Sequence, residues 1–328
     1  MEKGRFAPSP TGRMHLGNVF SALLSWLSVK SQGGEWLLRI KDIDPDRSRQ
    51  EYADQLMADL EWLGLVWDGE PVYQSQRSEI YQHYFDQLVA QGLTYPCYCT
   101  RADIMATQAP HETDGRIVYA GTCRPKKLSS SSRLSSLSSL SSPYSQTSPS
   151  PAALRLLVPD EDISFTDGHY GPQRVNLAKH CGDYILRRRD GAWAYQLAVV
   201  VDDALMGVTE VVRGRDLLLS TPQQLHLHNT LASLTSPPKG GRGVSYFHHP
   251  LLVNESGQRL CKRDKSLDLG ALRAGHVGPQ DIIGLLAHLA GLLPDPTPVS
   301  PRDLLPLFSW QKVPLHDIEA KTLTSKNT

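Results

Sequence analysis

Between a short strand, Gly4–Phe6, and a helix expected over Val19–Lys30 lies a turn bracketed by two prolines, Ala7-Pro8-Ser9-Pro10-Thr11-Gly12. Each proline fixes φ at about −65° and pushes the residue before it into an extended state, so no helix runs through this stretch. The chain must leave a strand, turn sharply and start a helix at His15-Leu16-Gly17-Asn18. A helix entered this way leaves backbone N–H groups unpaired at its N-terminus, where they favour anions. Gly17 has no Cβ, which lets a planar ring or a phosphate approach the backbone. His15 can donate to phosphate oxygens. Alone the motif is weak, because an ordinary proline turn with a helix cap has the same sequence.

The pattern continues as strand and helix in alternation. Phe20, Leu23, Leu24 and Leu27 recur at the period of a buried helix face. Trp36–Ile40 reads as a strand, Arg49–Leu63 and Arg77–Gln91 as amphipathic helices, the last closed by Gly92. Such alternation predicts a parallel sheet with crossover helices. After Gly92 the pattern breaks. Leu128–Ser150 holds 13 serines in 23 residues and no Asp or Glu; it reads as a flexible insertion without catalytic residues. Sheet-like patterning resumes at Tyr184–Arg187 and Ala194–Val201, followed by Asp202-Asp203 and then Val208–Arg213. Pro222–Leu234 and Pro279–Leu293 read as helices. At 328 residues the chain is expected to hold roughly two domains. The boundaries expected are 1–92 and 181–250 for the two halves of a catalytic domain, 93–180 for an insert including 128–150, and 251–328 for a basic loop and a helical C-terminal region.

Charge removes one class of function. Lys+Arg and Asp+Glu are 34 each, so no global basic field draws in nucleic acid and any RNA contact must be local. No apolar run approaches the ~20 residues that span a bilayer, and MEKGRFAPSP has no apolar signal core. A cytoplasmic enzyme with no membrane association is expected. Five cysteines, three of them clustered (Cys97, Cys99, Cys123), read as a metal site before a disulfide framework.

Two later segments add to the first. Arg259-Leu260-Cys261-Lys262-Arg263 can neutralise charge developing on a triphosphate, with a solvated charge run as the plain alternative. The run Ala194–Val201 reads as a buried strand ending in Asp202-Asp203, with Val211-Val212-Arg213-Gly214-Arg215-Asp216 after it. Ligands of parallel sheets bind at such carboxyl edges.

In order and spacing, the three segments resemble the class I glutamyl-tRNA synthetases. The first is similar to their His-Ile-Gly-His signature and the basic loop to their Lys-Met-Ser-Lys-Ser loop. Only 65 residues follow Arg263, which makes the chain most similar to the branch without an anticodon-binding domain, the glutamyl-Q tRNA(Asp) synthetases. The resemblance implies an α/β fold: a Rossmann-like parallel-sheet catalytic domain with an inserted zinc subdomain and a C-terminal helical region. It implies that L-glutamate is activated with ATP to glutamyl-adenylate without tRNA, then transferred to queuosine in the anticodon of tRNA(Asp) by a monomer. Arg5 would pair with the glutamate side-chain carboxylate, and Ser9, Tyr195 and Arg213 would make further substrate contacts. His15, Gly17 and Asn18 would hold ATP with its Mg²⁺. Lys262, with His15, would stabilise the reacting phosphate. Arg187, Arg188 and Arg189 read equally as an RNA contact or a solvated strand edge.

The chain departs from the family at Lys41, where the family has a Glu that would meet the α-ammonium of glutamate. Either Lys41 points elsewhere and Asp42 or another acid replaces it, or glutamate binding is weakened; weakened but retained activity is expected. Cys261 stands where a Ser is common, and Arg259 where a Lys is. For zinc, Cys97, Cys99 and Cys123 would be joined by Tyr119, with His111 as a rival fourth ligand. Two other readings stand beside this one: a glutamyl-tRNA synthetase acting on a tRNA 3′ end, and a non-catalytic RNA-binding paralogue.

Overall fold

The computed structural model describes residues 1–106, 118–125, 151–234, 243–260 and 268–320. The Ser-rich stretch 128–150, His111, Cys261, Lys262 and Arg263 lie outside them. In chain order the first elements are β1 (Lys3–Phe6), α1 (Leu16–Lys30), β2 (Glu35–Ile40), α2 (Gln50–Trp62), β3 (Val72–Tyr73) and α3 (Ser78–Ala90). Then come β4 (Thr94–Cys97), α4 (Arg101–Ala106), β5 (Ala153–Leu156), β6 (Asp162–Asp167), β7 (Gly171–Asn176), α5 (Leu177–His180) and β8 (Ile185–Arg187). The remainder is α6 (Tyr195–Leu205), β9 (Glu210–Gly214), α7 (Thr221–Leu234), β10 (Ser245–His249), β11 (Leu252–Val253), α8 (Leu269–Ala274), α9 (Pro279–Leu289) and β12 (Ile318–Glu319).

Seven strands form one sheet in the order β3-β2-β1-β9-β10-β6-β7. Every pairing is parallel except β6 with the edge strand β7, as the alternating pattern predicts. The strand order reverses between β1 and β9, and in open α/β sheets ligands bind beyond the strand ends at such a reversal. Helix α1 packs across β1 and is buried on nearly every side. Its approach is so close that a Cβ on Gly4 would stand 2.2 Å from Val29 Cγ2; only glycine fits there. A second, three-stranded antiparallel sheet, β4-β5-β8, stands apart. The stretch 93–180 is therefore shared between sheets, because β6 and β7 complete the large one.

One expectation is overturned. The run expected as a strand over Ala194–Val201 is the helix α6, against which α3 and α7 pack. Its residues Leu197–Asp203 are all buried. Burial on all faces removes the amphipathic period that separates helix from strand, and the β-branched run Val199-Val200-Val201 imitates a strand. Asp202 and Asp203 consequently sit on the last turn of a helix and not at a strand end. No described helix is long and apolar enough to cross a membrane.

Candidate active site

A cleft of about 330 Å³ opens where β1 and β9 end, at the reversal of strand order. Arg5, Ser9 and the helix-entry residues His15, Gly17 and Asn18 line it from the β1–α1 connection. Lys41 enters from the end of β2, Tyr195 from the first residue of α6 and Arg213 from β9. Every sequence-predicted glutamate or nucleotide residue within the described part thus faces one space. Lys262 lies outside the described residues, but its neighbours Arg259 and Leu260 line the same cleft. On the far side of that segment Asp268 bridges to His15, and the Leu269 N–H donates to Met14 O at 3.0 Å. The far end of the basic loop is thus held beside His15, and its near end lines the same cleft.

The helix entry departs from the expectation of free N–H groups. His15 caps α1: its Nδ1 accepts from the Gly17 N–H at 3.1 Å, and its carbonyl accepts from Asn18 and Val19 at 2.8 and 3.2 Å. Asn18 Oδ1 in turn accepts from the His15 N–H at 3.2 Å. Because Nδ1 accepts, a neutral His15 carries its proton on Nε2, the donor form that a phosphate oxygen requires. The Gly17, Asn18 and Val19 amides serve the cap; the helix dipole still favours an anion at this end.

Three cationic side chains meet at the acids of α6. Asp203 accepts from Arg5 Nε at 3.1 Å and pairs with Arg39 Nη1 at 2.8 Å. Asp202 accepts from Arg77 Nε at 2.7 Å, Gln74 Nε2 at 2.6 Å and Tyr81 Oη at 2.9 Å. Burial would raise the Asp203 carboxyl, but the Arg39 and Arg5 charges beside it hold it below the usual range. Arg5 is only 4% exposed. Its Nε is committed to Asp203, and its two terminal nitrogens make no hydrogen bond among the described residues. That leaves a planar fork directed to the cleft, the geometry that takes a carboxylate with two parallel bonds.

Arg213 is held differently. Its Nε donates to His248 Nε2 at 3.0 Å, Nη1 to Gln224 Oε1 at 2.7 Å and Nη2 to Thr221 Oγ1 at 2.7 Å. A longer contact of 3.4 Å reaches the Tyr195 hydroxyl. Burial alone would raise Tyr195, yet the positive charges of Arg213, Lys41 and Arg5 outweigh it and lower the phenol. Lys41 Nζ lies 5.1 Å from the centroid of the Tyr195 ring. Burial lowers its pKa, and Arg39, Arg5 and Arg213 push the same way against the opposing pull of Tyr195. Lys41 does not point elsewhere, and Asp42 does not replace it. Asp42 is absent from the cleft lining, and its carboxylate accepts from the Ser75 N–H and hydroxyl.

The second cluster is the cysteine site. The Sγ atoms of Cys97, Cys99 and Cys123 all lie within 4.8 Å of one another. Tetrahedral zinc with bonds of about 2.3 Å needs sulfurs roughly 3.8 Å apart, and Cys99 and Cys123 are 3.5 Å apart. Tyr119 Oη joins them, 3.5 Å from Cys97 Sγ, while it accepts from the Cys123 N–H at 2.7 Å. Burial opposes charge on Cys123, but hydrogen bonds from the Tyr98 backbone and from Cys99, Tyr119 and Cys97 bring it down to about 7. Three thiols and a phenol converging in this way fit a thiophilic cation.

The arginine run is engaged within the fold. Arg187 donates to Gly191 O and Gln82 Oε1, Arg188 pairs with Asp44 and Asp190, and Arg189 donates to Tyr98 O. Sequence reading passed over Asp167, Thr221, Gln224 and His248, which assemble around Arg213. The one available signal was the doublet His248-His249 closing an apolar strand.

Comparison with known proteins adds the following. The family model described as tRNA synthetases class I (E and Q), catalytic domain, matches residues 3–289. The glutamyl-Q tRNA(Asp) synthetase of Nitratidesulfovibrio vulgaris is 45% identical over 323 residues, covering 96% of this chain and 94% of the relative. That of Symbiobacterium thermophilum is 45% identical over 322 residues, covering 95% and 93%. Among solved structures, a glutamate tRNA ligase from Elizabethkingia meningosepticum, crystallised with its amino acid, superimposes with a TM-score of 0.77 at 26% identity. It covers 98% of this chain and 67% of the ligase.

Proposed function

The chain belongs to the class I tRNA synthetases (E and Q), in the glutamyl-Q tRNA(Asp) synthetase branch, and on that premise we propose that it activates L-glutamate with ATP and transfers it to queuosine of tRNA(Asp). It is an enzyme of the ligase type. The observation that carries the reading is the single cleft lined by residues of β1, α1, α6 and β9 and by Lys41, just after β2. Arg5 takes the side-chain carboxylate of glutamate in its free fork. Ser9, Tyr195 and Arg213 bound the same subsite. His15, Gly17 and Asn18 bound the nucleotide subsite, with Lys262 from the basic loop neutralising charge on the leaving pyrophosphate. The α-carboxylate of glutamate attacks the α-phosphorus and pyrophosphate departs. The adenylate carbonyl is then attacked by queuosine and AMP departs. No protein nucleophile is required; the residues align the reactants and balance charge. Mg²⁺ bound to ATP would supply further neutralisation of the phosphates.

The decisive measurement is nucleoside mass analysis after incubation with ATP, glutamate and tRNA(Asp). Queuosine is expected to gain one glutamyl group, and tRNA(Asp) lacking queuosine to gain nothing. Glutamate recovered at the tRNA 3′ end would replace this reading with the ordinary glutamyl-tRNA synthetase. No glutamate-dependent exchange of pyrophosphate into ATP would leave a binding paralogue.

Zinc belongs to the same reading, held by Cys97, Cys99, Cys123 and Tyr119 as a structural staple. Cys97→Ala is expected to lose the metal, which elemental analysis would find at about one per chain in the parent. Its melting temperature should fall by roughly 5–10 °C, at about 2–4 °C per kcal/mol of lost stability. Equal metal content in parent and variant would remove zinc from the site.

A further inference from the structure

The geometry points to Asp167 and His248 as positioning residues that aim Arg213 into the amino-acid subsite. This inference rests on the reading of Arg213 as a glutamate contact. Three neighbouring parallel strands each supply one residue. Arg213 on β9 is in register with His248 on β10. Asp167 ends β6, the next strand over. His248 Nε2 lies 3.0 Å from Arg213 Nε, and His248 Nδ1 lies 2.6 Å from Asp167 Oδ2. His248 and Asp167 are 0% and 1% exposed, so no water competes for these bonds.

The proton positions follow from the partners. Arg Nε–H can only donate, so Nε2 must accept, and the imidazole proton must sit on Nδ1 and be given to Asp167. Asp167 is itself fixed: its Oδ1 accepts from the His169 and Tyr170 N–H groups at 3.0 and 2.8 Å. A carboxylate pinned by the hairpin backbone therefore selects the tautomer of His248. That tautomer sets the roll of the guanidinium about its Nε–H axis. Thr221 and Gln224 take one terminal N–H each, so the end that faces the cleft has one orientation. Burial lowers His248 and keeps the ring neutral despite Asp167, which the acceptor role requires.

Three substitutions test the arrangement, with pyrophosphate exchange measured against glutamate and ATP separately. In Asp167→Asn the amide oxygen stays on the backbone N–H groups of His169, Tyr170 and His248, which puts the NH₂ group against His248 Nδ1. The ring then flips tautomer, and Nε2–H confronts Arg213 Nε–H. His248→Asn keeps a donor near Asp167 but removes the acceptor. Both are expected to raise the glutamate KM about tenfold while the ATP KM stays within about twofold. His248→Gln places an amide oxygen where Nε2 was and is expected to hold the glutamate KM within about threefold of the parent. Gln failing as badly as Asn, or both KM values rising together with a lowered melting temperature, would reduce the residues to core packing and overturn the inference. A parent without glutamate-dependent exchange would instead defeat the reading of the subsite itself.

Discussion

Lys41→Glu is expected to raise kcat/KM for glutamate by roughly 10- to 100-fold in pyrophosphate exchange. The cleft gathers Arg5, Lys41 and Arg213, and Lys41 has no ion pair among the described residues. Asp203, behind the cleft, is taken up by Arg5 and Arg39, and Asp216, which lines it, pairs with Arg259. A bound amino acid brings an ammonium into this positive field. Two unit charges ~4 Å apart at an effective dielectric of ~20 interact by about 4 kcal/mol. The lysine stem can swing and water reaches the cleft, so we take about a third to two-thirds of that, ~1.4–2.8 kcal/mol, which gives the stated factor. The arginines would also accommodate the new carboxylate without a desolvation penalty left unopposed. An unchanged or lower kcat/KM would mean that the ammonium lies away from position 41.

The largest loss is expected from Arg5→Lys, at about 10²- to 10³-fold in kcat/KM for glutamate. The substitution keeps the charge and can keep the pairing with Asp203, so the fold should be spared. What it removes is the fork. Two charge-assisted hydrogen bonds to one carboxylate, at ~1.5–3 kcal/mol each, are reduced to one flexible point contact. An unaltered melting temperature beside a collapsed kcat/KM is the expected pair of measurements. A loss below about tenfold would show that the side-chain carboxylate is gripped elsewhere.

Much of this site could be read from the sequence, for identifiable reasons. Arg5, Ser9, His15, Gly17 and Asn18 lie within one strand–turn–helix unit, where two prolines leave the backbone few choices. The cysteines announce themselves by spacing. What escaped was built across long sequence separations. His248, Arg213 and Asp167 become neighbours only through sheet order, which periodicity does not encode. The run over Ala194–Val201 failed for another reason: a helix buried all round shows no polar face. Knowing it as α6 changes the chemistry as well. As the last turn of a helix, Asp202 and Asp203 reach Arg77, Arg39 and Arg5 together and organise the cations of the cleft.

The placement of β1 between β2 and β9 has a consequence for biosynthesis. β9 begins about 170 residues after β2 ends. At about 5–20 residues per second, the nascent β1–β2 pair waits roughly 10–35 s on the ribosome for its other neighbour. Through that interval one row of β1 amides and carbonyls has no partner strand, a template for mispairing with other chains. The cleft, whose Arg5 on β1 is held by Asp203 on α6, cannot form before α6 and β9 have been translated.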